Sequence, residues 1–189
     1  GNLYALNQSN GKQNWSYKFD GSALGLAIGL YGVVYVGAGN TLHAIDPATG
    51  EAIWKFNANG LIEGAPAIGS NGIVYIGSHD HKVYAIERST GQQIWAFSTG
   101  KNVVHGPSID SDGNILVGSR DQNLYKLNGQ NGQETFTTKL CVVESSPTLG
   151  LGGTIYVGGC QSLYALDPIQ GEIKWAYEAA GWIHASPAI

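Results

Sequence analysis

Methionine is absent from this chain, and only two of its 189 residues are cysteine. Without even an initiator methionine, the chain is expected to be a processed product or a piece of something longer. The two cysteines, Cys141 and Cys160, are too few for a disulfide scaffold and wrongly spaced for zinc. Charge is scarce too: charged residues make up 13% of the sequence, about half the roughly 25% of an average globular protein. The 14 acidic and 10 basic residues leave a net charge of -4, and Lys and Arg nowhere cluster. That excludes the basic footprint of a nucleic-acid binder. No run approaches the roughly 18 apolar residues of a membrane helix, and the N-terminus lacks the basic-then-apolar layout of a signal peptide. Nor does any segment keep an apolar period of 3.6 over about ten residues, as a helix would.

What the sequence has instead is glycine, 28 residues of it, and a sentence that repeats. "YALNQSNGKQNWSYKF" (Tyr4 to Phe19), "HAIDPATGEAIWKF" (His43 to Phe56), "YAIERSTGQQIWAF" (Tyr84 to Phe97), "YKLNGQNGQETFTT" (Tyr125 to Thr138) and "YALDPIQGEIKWAY" (Tyr164 to Tyr177) are copies of one segment. Trp15, Trp54, Trp95, Phe136 and Trp175 recur at intervals of about forty residues, a repeat-architecture signal.

One unit, 61–100, shows the physics. "GAPAI" is a short apolar stretch, and "GSNG" supplies turn residues that tolerate positive φ. "IVYIG" is a β-branched and aromatic run too short for a helix. After the turn "SHDHK", "VYAIE" alternates as a third strand, and "IWAFS" follows "RSTGQQ" as a fourth. A four-stranded sheet with apolar residues on both faces must stack against neighbours, and radial stacking makes a β-propeller. The expected fold is all-β, with four-stranded antiparallel blades.

The pattern Ala-x-Asp-x-x-Thr-Gly-x-x-x-Trp resembles the tryptophan-docking repeat of quinoprotein-like propellers, the pyrroloquinoline quinone (PQQ) family. Ala44, Asp46, Thr49, Gly50 and Trp54 match every position. Ala85, Thr90, Gly91 and Trp95 match with Glu87 at the acidic place, and Ala165, Asp167, Gly171 and Trp175 match with Gln170 replacing threonine. Ala5, Asn7, Gly11 and Trp15 form a looser copy. The unit 101–140 departs most, with Lys126 in place of alanine and Phe136 in place of tryptophan, so its packing is expected to be the least regular. The resemblance implies that Trp15, Trp54, Trp95 and Trp175 wedge between blades, against turns built on Gly50, Gly91 and Gly171. It also implies seven or eight blades. This chain holds four complete ones (23–60, 61–100, 101–140 and 141–181), with partial blades at 1–22 and 182–189, the last expected to be a first strand, "ASPAI". The fragment reading is preferred to a five-bladed ring closed by both termini, which would lack one second strand.

First strands line a propeller's channel, so function is sought at their starts. Ala23, Glu63, Val104, Glu144 and His184 are equivalent there, with His105 one place later. Glu63, His105, Glu144 and His184 are the candidate ligand-binding residues, suited to a cation or a polar ligand; otherwise they are solvated strand starts. His79 and His81 flank Asp80 as a weak metal pair, weakened because "SRDQN" puts Asp121 in the same turn without histidine. "DSDGN" aligns with plain hairpin turns and lacks the later ligands of a calcium loop. Antiparallel pairing sets Cys141 opposite a residue near 161, so Cys141 and Cys160 are either a disulfide, marking an oxidising compartment, or two unpaired half-buried thiols.

Two functions remain. One is a non-catalytic, extracytoplasmic scaffold or binding module, whether periplasmic, secreted or at the cell surface, for a protein or small ligand. The other is a fragment of a PQQ- and calcium-dependent alcohol or sugar dehydrogenase. The adjacent cysteines and the calcium ligand set that the resemblance would bring with the second cannot be found in the sequence.

Overall fold

The structure is a computed structural model describing residues 1–189. It is all-β, and its only helical pieces are three-residue 3-10 turns at Leu30–Gly32 and Leu151–Gly153. An opening hairpin, β1 (Asn2–Leu6) and β2 (Gln13–Lys18), precedes four antiparallel four-stranded sheets. The first blade holds β3 (Ala23–Ile28), β4 (Val34–Ala38), β5 (Thr41–Ile45) and β6 (Ala52–Asn57), and the second β7 (Ala67–Ile68), β8 (Ile73–Ser78), β9 (Lys82–Glu87) and β10 (Gln93–Ser98). The third holds β11 (Ser108–Ile109), β12 (Ile115–Gly118), β13 (Asn123–Leu127) and β14 (Glu134–Lys139), and the fourth β15 (Thr148–Leu149), β16 (Ile155–Gly159), β17 (Ser162–Leu166) and β18 (Ile173–Glu178). Within each sheet the strands lie in chain order.

Second and third strands read as continuous apolar runs because both of their faces are covered, one by each neighbouring blade. In the second blade, Val74, Ile76, Tyr84 and Ile86 pack with Tyr35, Leu42 and Trp54 of the first. The alternate residues Ile73, Tyr75, Val83 and Ala85 pack with Ile115, Val117 and Tyr125 of the third. The core is therefore a series of inter-blade layers. The layer between the third and fourth blades is thinner, with six fully buried residues where each of those two has ten.

The repeated turn between third and fourth strands has a local cause. Asp46 accepts hydrogen bonds from the amides of Ala48 (2.8 Å) and Thr49 (2.9 Å), and Gly50 closes the turn at φ 74°. Those amides hold the Asp46 carboxyl below its ordinary range. Glu87 does the same with Ser89 and Thr90, and its carboxyl is lowered to about 2, first by the Ser89 amide. The glycine is needed twice over: it adopts a left-handed φ, and a Cβ on Gly91 would come within 2.6 Å of the Trp54 ring. Trp15, Trp54 and Trp95 lie in this way against Gly50, Gly91 and Gly132 of the next blade. Their indole N–H groups donate to the carbonyls of Pro47 (2.8 Å), Arg88 (2.8 Å) and Gly129 (2.9 Å). Trp175 has no such turn against it and is 46% exposed, while Trp54 is 9% exposed.

Two expectations need correction. Residues 185–189 form no strand, because a first strand exists only through its ladder with a second, and even the first strands of blades two to four are two residues long. Their contact with the fourth blade is by single bonds, the Thr148 hydroxyl to the Pro187 carbonyl (2.6 Å) and the Ser146 amide to the Ser186 hydroxyl (2.9 Å). The third blade is also not irregular in its backbone. The register shift at Lys126/Leu127 is the one found at Ala44/Ile45 and Ala165/Leu166. Its departures lie in side chains: Phe136 packs on Gly171, and Lys126 Nζ donates to the Pro168 carbonyl at 2.7 Å, where the other blades use the indole.

Candidate functional site

Each connection from one blade to the next tucks an apolar side chain over a glycine of the following second strand. A Cβ on Gly37, Gly77, Gly118 or Gly158 would collide with Ile62, Val103, Val143 or Ile183 respectively. This anchoring fixes the next residue in each connection, so Glu63, Val104, Glu144 and His184 fall at equivalent places beside the first strands. The turns between second and third strands emerge at the same end and add His79 and Arg120.

These side chains meet in pairs. Glu144 sits at the centre of one group, with Oε1 2.7 Å from Arg120 Nε and Oε2 3.0 Å from His184 Nδ1. Trp182 stacks on the His184 ring, centroids 5.8 Å apart and planes 12° from parallel. Glu63 Oε2 lies 2.9 Å from His79 Nε2. His105 stands within the field of both groups. Burial holds its imidazole below the ordinary range, against the upward pull of Glu63 and Glu144. Arg120 (44%) and His184 (61%) remain well exposed, while the Glu144 side chain is 15% exposed. The result is a mouth with buried carboxylate and exposed cationic and aromatic edges.

Of the residues expected here from sequence, Glu144 and His184 touch, Glu63 takes a partner that the sequence reading placed elsewhere, and Ala23 opens a longer first strand. Arg120 and Trp182 were missed. Arg120 could have been found by aligning "SRDQN" with "SHDHK", which puts it in the column of His79; Trp182 falls outside the repeated motif. His81 adopts φ 70° in its turn and receives Thr99 on its carbonyl, and no group of three or more His, Cys, Asp or Glu side chains comes together to hold a metal ion. Asp80 is a latch between blades, accepting from the Asn59 amide (2.8 Å) and the Tyr84 hydroxyl (2.6 Å). Asp121 repeats this with Gly100 (2.6 Å) and Tyr125 (2.7 Å).

Below the mouth, Cys141 and Cys160 are joined as a disulfide with Cα atoms 5.7 Å apart. The bridge pairing of Val143 with Gly159 beside them sets this register.

Among curated proteins, no sequence matches the chain. Solved structures do. BamB from Moraxella catarrhalis is similar over 82% of this chain and 48% of its own, with a TM-score of 0.69 and 19% identity. The quinohemoprotein alcohol dehydrogenase from Comamonas testosteroni is similar over 96% of this chain and 42% of its own, with a TM-score of 0.77 and 16% identity. The chain thus spans less than half the length of either, and at these identities the likeness is one of fold. Residues 38–181 match the family described as "Outer membrane protein assembly factor BamB". With that match covering most of its length and four propeller blades in place, the chain belongs to this PQQ-like β-propeller family.

Proposed function

We propose that the chain is a non-catalytic binding module whose mouth, around Trp182, His184, Arg120 and Glu144, holds an extended segment of a protein partner. The observation that carries this reading is the exposed Trp182–His184 stack beside the Arg120–Glu144 pair. Tryptophan and arginine are the side chains most enriched where binding energy concentrates, and a half-buried carboxylate gives a partner's amides a fixed acceptor. The disulfide between Cys141 and Cys160 supports an extracytoplasmic location, since such bonds persist in oxidising compartments. No helix is long and apolar enough to cross a membrane.

The dehydrogenase reading fits the residues less well. Its quinone and calcium would need neighbouring cysteines and a gathered set of oxygen ligands. Here the two cysteines lie 19 residues apart in sequence and bridge a hairpin, and no three candidate ligands converge. Added PQQ and calcium are expected to give neither bound quinone absorbance nor dye reduction with alcohols or glucose; tight stoichiometric binding would overturn the non-catalytic assignment. The binding reading is tested by selecting extended peptides from a display library. Trp182→Ala and Arg120→Ala should each weaken the selected peptides about tenfold. A selected set indifferent to both would refute the mouth as the site.

A further inference from the structure

The third blade differs from the others at four positions that meet in space, at the strand ends opposite the mouth. In the other complete blades the second strand carries Tyr35, Tyr75 or Tyr156, with its ring 5.7 to 5.9 Å from Trp54, Trp95 or Trp175. A glycine beside each tyrosine is a steric requirement. A Cβ on Gly29 would lie 2.8 Å from the Tyr35 ring, and one on Gly150 would lie 2.7 Å from the Tyr156 ring. In the third blade Leu116 replaces the tyrosine, Asp110 the glycine, Lys126 the alanine and Phe136 the tryptophan. Loss of the tyrosine ring is what admits a side chain at position 110.

The exchange leaves space. A cleft of about 440 Å³ opens between the third and fourth blades, walled by Leu116, Leu149, Ile155 and Pro168, with Lys126 and Asp110 in its lining. That is within the range of small-molecule sites. Between the second and third blades the cleft on the same side is about 270 Å³ and is lined largely by turn residues, without Tyr75. The polar lining is specific. Lys126 Nζ, with its side chain 8% exposed, spends one N–H on Asp110 (2.8 Å) and one on the Pro168 carbonyl (2.7 Å), so one of its three donors is left over. Asp110 is already occupied by Lys126, the amides of Asp112 and Asn114, and the Asn114 side chain. What the cleft offers is thus one cationic donor over apolar walls. The carboxylates of Asp110 and Asp112 outnumber the single ammonium and disfavour an anion.

We infer that this cleft binds a small neutral phenol, its ring in the place of the missing tyrosine ring and its oxygen accepting from Lys126. The site is independent of the mouth.

The probe is p-cresol, the tyrosine side chain as a free molecule, titrated into the whole chain by NMR. Saturable shifts with a Kd of about 1 mM are expected for so few atoms, with NOEs from the ring protons to the Leu116 and Leu149 methyls. 4-Methylbenzoate should bind about tenfold more weakly. Rebuilding the ordinary blade with D110G, L116Y and K126A should abolish binding, and Leu116→Phe, a smaller change that adds a ring in the same space, should weaken it about tenfold. Shifts that do not saturate, NOEs to other residues, or binding unaltered by Leu116→Phe would overturn the assignment.

Discussion

Lys126 Nζ lies 2.7 Å from the carbonyl of Pro168, in the position where the indole N–H of Trp54 reaches Arg88 and that of Trp95 reaches Gly129. The lysine thus restores a bond between blades that phenylalanine at 136 cannot make, and its ammonium also lies 5.9 Å from the Phe136 ring centroid. The arrangement places an ion pair in a nearly dry site, with the two side chains 8% and 10% exposed. Burial pushes the Asp110 carboxyl up, but Lys126 and Asn114 outweigh it and hold the group below its ordinary range.

Breaking that pair from one side should therefore be costly. Lys126→Met leaves Asp110 buried without its cation and is expected to lower stability by about 3 kcal/mol. Removing both charges, as Asp110→Gly with Lys126→Ala, should cost less than the sum of the two single changes, because neither leaves an unpaired charge behind. Urea denaturation of the four proteins gives the coupling directly; strict additivity would mean that the pair is solvated in solution.

The tryptophan contact separates into two parts. Trp95→Phe keeps a ring against Gly132 but loses the bond to Gly129, and is expected to cost about 1 kcal/mol from the hydrogen bond, plus the smaller ring's lost packing. Trp95→Ala should cost about 3 to 5 kcal/mol, the range for truncating a buried aromatic. Gly91→Ala tests the other side of the same kind of joint: a methyl there must displace the Trp54 ring while its backbone holds φ 73°. A Gly91→Ala protein as stable as the parent in urea would show that the indole does not sit on this turn.

How much of this the sequence discloses depends on the range of the interaction. The turn at Asp46 to Gly50 is legible because its bonds span three or four residues, and so recur as a motif. The indole contacts are legible because they repeat with the period of the chain. The Glu144–His184 contact was half legible: equivalent positions are visible in an alignment, but a contact between neighbouring blades is not. Asp110, Leu116, Lys126 and Phe136 were the hardest. Lys126 and Phe136 read as faults in a motif and Asp110 as a plain turn residue, and only the three-dimensional neighbourhood shows them to be one coordinated exchange.

The disulfide predicts a redox-dependent stability. Cys141 and Cys160 close a loop with a sequence separation of 19 residues, for which the chain-entropy model gives about 3 kcal/mol. Reduction, or Cys141→Ser with Cys160→Ser, should shift the urea midpoint accordingly. The His184 mouth should loosen first, since Cys160 accepts on its carbonyl from the Ile183 amide at 2.6 Å. Hydrogen exchange at Ile183 that stays as slow after reduction would separate the two.

His43 gives the sharpest pH dependence. It replaces the tyrosine found at Tyr84, Tyr125 and Tyr164, is 7% exposed, and packs against the rings of Tyr17 and Phe19. Burial, with help from Lys55, lowers its imidazole to about 4 against an ordinary 6.5. The unfolded chain therefore takes up a proton as the pH falls through 6.5, while the folded chain refuses it until about 4. Stability should be unaffected by this group above about pH 7, fall as pH drops below 6.5, and level off below about 4. Each pH unit within the window is worth up to about 1.4 kcal/mol, so about 1 to 2 kcal/mol is expected between pH 7 and pH 5. The carboxylates contribute their own acid dependence in every variant, and His43→Phe removes only this part. The difference between the two proteins' urea stabilities, plotted against pH, should rise through that window; a flat difference would mean that His43 is solvated and free to titrate in the folded chain.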